Sequence, residues 1–241
     1  MGYYSTIDGG NRLTEIDRTD QTGERRSSLD EPRSTLRDYH LREWILVSYF
    51  TLNSPYEKEI RRLGASCEKF AVDYYFRAIE SKGSWLKNCH YRPDFIIHCL
   101  DRFTDRDVVW VDSDGMIIQF PFVFDDLRRT GADMAVHYLR GRELLGGTMW
   151  VRNSDRARGL LRSWQEMNRL HPFWKEQFNL QIIIERRKEW KIETLPATYT
   201  QIFDIMRSAG VPVIEHYQAS RRLKKIMGVT AAEKIALGMR R

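Results

Sequence analysis

Apolar residues run along this chain in short continuous blocks separated by segments of helical spacing, and that alternation predicts most of the elements. WILVSYFT (44–51) is a run of eight with no polar break until its middle, the pattern of a strand covered on both faces. YEKEIRRLGASCEKF (56–70) spaces Ile60, Leu63 and Phe70 on one side, as an amphipathic helix does. FAVDYYFRAI reads as a second strand. In WLKNCHYRPDFIIHCLDRF (85–103) Pro93 suits a first helical turn, and Phe95, Ile96, Cys99, Leu100 and Phe103 form the apolar side. DVVWVDSD then ends four consecutive apolar residues in acid-Ser-acid, as a central buried strand does when it delivers polar side chains at its C-terminal edge.

Further on, MIIQF, MAVHY and GGTMWVRN read as strands, and RGLLRSWQEMNRL and FWKEQFNLQIIIER as helices. The Trp and Met stripes of those helices are read as core. WKIETLPATY and VPVIEHY are expected to finish the sheet, with Pro196 and Pro212 at irregular or edge positions. Strands alternating with amphipathic helices predict an α/β fold, a single Rossmann-like mixed sheet sandwiched by helices. Residues 1–40 carry few branched aliphatics among many Asp, Arg, Ser, Thr and Gly, so they are expected to form a polar, flexible N-terminal arm before a domain at 41–226 and a basic tail at 227–241.

Composition changes this picture little. A chain of 241 residues with 42% hydrophobic content suits one domain. No apolar run approaches the roughly 18 residues of a membrane span, and the N-terminus lacks the layout of a secretory signal, so a cytoplasmic protein is expected, in the host cytoplasm if phage-encoded. Cys67, Cys89 and Cys99 have no CxxC spacing and are read as reduced thiols. The net charge of +6 resides in residues 221–241, which hold seven Lys or Arg against Glu233, whereas the remainder balances at 32 against 32. A basic end of that kind serves a diphosphate, DNA or solubility alone.

The chemistry centres on Asp112 and Asp114. Divalent Mg²⁺ or Mn²⁺ takes oxygen ligands and commonly combines one or two carboxylates with substrate phosphates and waters. If the segment is extended, side-chain alternation puts both aspartates on one face, with Ser113 on the other. An acid-x-acid triplet alone is weak, and its placement after VVWV is what gives it weight.

On these residues the sequence resembles the nucleotide-diphospho-sugar glycosyltransferases of the A-type fold, in which a DxD motif follows a central strand. The resemblance spans about residues 44–226 and includes ILVSYFT, the W-x(6)-RP element from Trp85 to Pro93, GGTMWVRNS, EQFNL, LPATY and HYQASRRLKK. It implies a metal-dependent hexosyl- or pentosyltransferase that moves a sugar from a nucleoside diphosphate sugar, UDP-sugar foremost, to a hydroxyl acceptor. Tyr49, Thr51 and Arg92 would line the nucleotide pocket, and Gly146 and Gly147 would allow close approach of the sugar. Gln177, Arg222 and Lys225 would meet the donor. Asp112 would bind the donor ribose or the metal, Asp114 would be the principal metal ligand and His216 a third, and an imidazole in that set would favour Mn²⁺ over Mg²⁺. Glu176 is the candidate base or acceptor-positioning group, with Asp133 the second choice, and both retaining and inverting courses stay open. The acceptor is unspecified, and a hydroxymethylated base in DNA is one alternative. A catalytically inactive nucleotide-sugar binding module is another. A two-metal nuclease would call for more carboxylates than the distant Asp125 and Asp126, and no GxxxxGK[ST] loop is present.

Overall fold

The computed structural model describes residues 34–219, an α/β fold built on a seven-stranded mixed sheet flanked by helices. In chain order the elements are β1 (Ser34–Arg37), β2 (Trp44–Thr51), α1 (Tyr56–Lys69), β3 (Tyr74–Ile79), α2 (Trp85–His90), α3 (Arg92–Arg102), β4 (Asp107–Val111), β5 (Gly115–Ile117) and α4 (Val123–Thr130). There follow β6 (Met134–Leu139), β7 (Glu143–Val151), α5 (Asp155–Leu170), α6 (Glu176–Arg186), β8 (Ile192–Thr194), β9 (Gln201–Ile202) and β10 (Ile214–His216).

The large sheet has the order β1-β3-β2-β4-β7-β6-β8. Strands β3, β2 and β4 pair in parallel, as do β6 and β8, whereas β7 runs antiparallel to both β4 and β6. The unbroken apolar runs of β2 and β4 follow from burial on both faces. Ile45, Val47, Tyr49, Val108 and Trp110 enter one core with Phe95, Ile96, Leu160, Trp164 and Leu180 of α3, α5 and α6. Trp44, Leu46, Val109 and Val111 enter the other with Ile60 and Leu63 of α1 and Phe124 and Leu127 of α4. Serine hydroxyls cap two helices at their start: Ser84 accepts from the Lys87 amide and Ser154 from the Ala157 amide, each at 3.2 Å.

Three expectations are corrected. MIIQF and VPVIEHY do not join the main sheet: β5, β10 and β9 form a separate three-stranded sheet, its strands two or three residues long, beside the central mixed sheet. The 85–103 segment is two helices, broken at Tyr91, with Arg92 and Pro93 opening the second. Ser34–Arg37, assigned by composition to the arm, forms an edge strand antiparallel to β3. Residues 1–33 of the arm and residues 220–241, including Arg222, Lys225 and the basic tail, lie outside the described residues.

Among the described residues no helix is long and apolar enough to cross a membrane. The three cysteines are free thiols, Cys67 and Cys99 buried and Cys89 partly so.

Candidate active site

β4 ends at Val111, and the next residues do not continue it. The Gly115 amide donates to the Asp112 carbonyl at 2.8 Å, closing a tight turn over Asp112–Gly115, and the Asp112 amide donates to the Gly147 carbonyl at 2.8 Å. Strand alternation therefore does not bring the two aspartates together; the turn does. Its last position excludes a side chain, because a Cβ on Gly115 would stand 2.5 Å from a Val111 methyl.

The turn opens into a cleft of about 320 Å³ at the C-terminal ends of β2 and β4. Tyr49, Thr51, Arg92, Asp112, Asp114, Gly146, Gly147, Glu176, Gln177 and His216 all line it. The structure thus gathers every proposed site residue within the described part, from positions up to 167 residues apart, while Asp133 stands elsewhere. Asp133 is buried under Arg156, 3.1 Å away, and accepts the Lys191 amide at 2.9 Å, which makes it a structural anchor. Asp125 and Asp126 are likewise absent from the cleft: Asp125 accepts from the Trp44 indole at 2.7 Å, and Asp126 pairs with Arg129 at 2.7 Å.

Arg92 is the hub of one corner. It is 5% exposed, and its guanidinium meets Asp112 Oδ1 at 2.7 Å, Glu176 Oε1 at 2.9 Å and the Gly146 carbonyl at 2.9 Å. The guanidinium also lies 4.9 Å from the centre of the Trp110 ring, whose Nε1 donates to the same Asp112 oxygen at 3.0 Å. A buried cation between two carboxylates is costly to desolvate but holds both in fixed geometry. Gly146 is required here, since a Cβ would fall 2.4 Å from Arg92 Nη1.

The second corner is built by the small sheet and β7. The Ala219 amide donates to Asp114 Oδ2 at 2.7 Å, and His216 Nδ1 stands 3.6 Å from Asp114 Oδ1. His216, 2% exposed, makes a 2.8 Å hydrogen bond through Nε2 with the Thr148 hydroxyl, which sets the ring so that Nδ1 faces Asp114. A Cβ on Gly147 would press on that ring at 3.1 Å. The paired glycines thus leave room for Arg92 and His216 to pack against β7. Pairing of β7 with β6 shifts register between Ala135 and His137, an irregularity of the kind found beside active sites.

Burial, together with the neighbouring Asp114 charge, raises the Asp112 carboxyl from its ordinary 3.8 to about 6, against the opposing pull of Arg92 and His216. Burial raises the Tyr49 and Tyr56 phenols as well, so both stand as neutral hydrogen-bonding groups. Tyr49 donates to the Asn88 carbonyl at 2.6 Å, and the Asn88 amide reaches Thr51 Oγ1 at 3.4 Å. Asn88, Thr148, Trp110 and Lys175 escape a reading of the sequence. The position of Asn88 three residues after Trp85, one helical turn along the W-x(6)-RP element, is the signal that points to it.

Among the described residues no group of three or more His, Cys, Asp or Glu side chains is close enough to hold a metal ion by itself. Asp112 turns one oxygen to Arg92 and Trp110, so the expected trio is not a ready-made cage. The donor set still fits a cation that takes one or two carboxylates and completes its shell with phosphate and water oxygens. A ring nitrogen fixed by Thr148 is also how ligating histidines are commonly oriented.

With this geometry in view, the solved structures are informative. The chain matches a glycosyltransferase involved in the glycosylation of the major capsid of PBCV-1, with a TM-score of 0.61 over 77% of this chain and 98% of that one, at 14% identity. The fold is glycosyltransferase-like. The glycosyltransferase GlyE of Streptococcus pneumoniae TIGR4 matches more distantly, with a TM-score of 0.49 at 15% identity over 72% of this chain and 54% of that one. No family model and no curated protein matches the sequence.

Proposed function

We propose that the protein is a metal-dependent glycosyltransferase of the A-type that moves a hexosyl or pentosyl unit from a nucleoside diphosphate sugar, UDP-sugar foremost, to a hydroxyl acceptor. The observation that carries this reading is the Asp112–Asp114 turn. It sets two carboxylates at the end of the central strand, inside a cleft, with His216 directed at one and Arg92 fixed on the other. Fold alone would not carry it, because one fold hosts many activities.

In this reaction the bond from the sugar's anomeric carbon to the diphosphate oxygen breaks and one to the acceptor oxygen forms, while the acceptor hydroxyl passes its proton to Glu176 in an inverting course or to the departing diphosphate in a retaining one. The leaving diphosphate gathers negative charge and needs electrostatic stabilisation. Asp112, Asp114 and His216 Nδ1 are the groups that would hold Mn²⁺ or Mg²⁺, which when bound supplies Lewis-acid neutralisation of the diphosphate. Tyr49, Thr51 and Asn88 offer a neutral wall for the nucleoside. Arg92 acts through Asp112 and Glu176, fixing both carboxylates, and Glu176 and Gln177 form the wall from which an acceptor hydroxyl would be positioned.

The test is to incubate the full chain with a panel of nucleotide sugars and Mn²⁺ and to measure nucleoside diphosphate release. Release that requires metal and is lost in Asp114→Ala is the expected result. Metal-dependent donor binding with no release or transfer across acceptors would instead assign the fold to a binding module. Steep weakening of acceptor binding by salt would mark DNA as the acceptor.

A further inference from the structure

The connection between α5 and α6 exposes large apolar side chains beside the cleft. Phe173 is 83% exposed, Trp174 40%, Phe178 47% and Leu170 56%. Solvent exposure of this kind on contiguous aromatic residues marks an interaction site more often than chance. Two of the rings are packed on neighbours: His171 stacks on Trp174 with centroids 4.0 Å apart and planes 11° apart, and Phe178 meets Trp174 edge-on at 5.4 Å. The main chain is pinned too, since His90 Nε2 bonds the Trp174 carbonyl at 2.7 Å, tying the loop to the end of α2.

Two features connect this platform to the site. The residues that follow it without a break, Lys175, Glu176 and Gln177, line the cleft, and so do Trp85, Asn88 and Cys89 of the helix to which it is pinned. The platform therefore stands on the rim next to Glu176, where an acceptor would enter. Its chemistry is apolar and rigid with polar groups at its edge. Of the neighbouring cations among the described residues, Arg169 is committed to Glu166 by hydrogen bonds of 2.6 and 2.8 Å, which leaves Lys175 at the cleft edge. A polyphosphate strand would call for several basic side chains along its path, whereas a pyranose has an apolar C–H face to cover an aromatic ring and hydroxyls to meet polar atoms at the border.

We propose that Trp174, with Phe173 and Phe178, is an acceptor platform that stacks on a carbohydrate ring, so that the acceptor is a glycan. The acceptor role rests on the transferase reading above; carbohydrate binding by the platform does not. The experiment therefore uses the full chain in EDTA, without nucleotide, against an array of neutral oligosaccharides, with a mixed-sequence single-stranded oligodeoxynucleotide as the competing probe. At least one class of oligosaccharide is expected to be retained. Trp174→Ala and Phe173→Ala, the second at a fully surface position, should weaken retention about tenfold or more, the scale of a lost stacking contact, while Trp174→Phe should recover much of it. Thermal melting and sedimentation of each variant separate this from misfolding or self-association. Retention of no oligosaccharide, preference for the oligodeoxynucleotide, equal retention by Phe173→Ala and wild type, or a wild-type dimer dissolved by Trp174→Ala would each overturn the platform. Nucleoside diphosphate release in the separate donor assay does not depend on that outcome, so failure of either reading is visible alone.

Discussion

The Asp112 and Asp114 corners lie two residues apart, yet different parts of the molecule hold them. Asp112 is gripped by large-sheet and helical elements: Arg92 from the start of α3 and Trp110 from β4, with Glu176 behind the same guanidinium. Asp114 is gripped by the segment around β10, through the Ala219 amide and the His216 ring that Thr148 orients. One carboxylate already has a fixed cation against it. The other is met by a backbone dipole and an imidazole. Under the proposed function this difference implies a division of labour in which Asp112 would be a placed group and Asp114 the principal ligand for an added cation.

The strongest way to break that comparison is Asp114→Ala. Losing the principal cation ligand is expected to reduce nucleoside diphosphate release by about 10³-fold or more, the order of effect seen when charge stabilisation of a leaving group is removed. Release within a few-fold of wild type would end the distinction. Next in size is Arg92→Met, which leaves two carboxylates in the cleft wall without their shared cation. Breaking a buried ion pair from one side costs about 3–5 kcal/mol, so the melting temperature should fall by about 10 °C, and adding Glu176→Gln should restore part of the loss. An unchanged melting curve would show that Arg92 is no hub.

His216→Ala should weaken Mn²⁺ binding by about 10- to 100-fold, and Thr148→Val by less, as expected for a ligand and the group that orients it. Calorimetric titration decides; equal affinity in wild type and His216→Ala would remove His216 from the ligand set. The smallest effect concerns pH. Because Asp112 keeps its proton up to about pH 6 in the metal-free protein, cation binding must displace that proton below 6, and affinity should fall by about tenfold or less per pH unit there. The folded state binds this proton more tightly than the unfolded chain, so Asp112 by itself favours the metal-free fold at low pH and loses that contribution as pH rises towards 6. Asp112→Asn should flatten the affinity profile, and an identical slope in the variant would assign the effect to another group.

How much of this is legible in the sequence follows from which signals are local. β2 and β4 announce themselves because burial on both faces demands continuous apolar runs, and α5 because Leu160, Leu161, Trp164 and Met167 recur at helical spacing. Asp112 and Asp114 are visible because they stand where the β4 run stops. The small sheet is not legible as a separate body: its strands are two or three residues long, too short for periodicity to tell which sheet they join. α4 escapes because its eight residues hold few apolar positions and follow the Phe- and Pro-rich stretch 120–122, which reads as irregular. The turn at Asp112–Gly115 mimics an extended segment, and crowding against Val111 and the His216 ring shows why Gly115 is there.

Pairings across the chain are the least visible. Arg92 and Glu176 lie 84 residues apart, and nothing local in EQFNL says that the acid folds onto a guanidinium. The paired glycines of β7 read equally well as a turn or a sugar contact; their packing against Arg92 and His216 emerges once the chain closes. The aromatic residues 173, 174 and 178 look like more core, because a sequence cannot tell a buried Trp164 from an exposed Trp174 when both carry the same apolar weight.

The most direct test of the account is to add Mn²⁺ and a nucleoside diphosphate to isotopically labelled protein and follow paramagnetic broadening of its amide signals by NMR. Broadening is expected to centre on Asp112–Gly115 and on His216–Ala219, to depend on the nucleotide and to be absent in Asp114→Ala. Broadening centred elsewhere, or none at all with nucleotide and Mn²⁺ in excess, would contradict it.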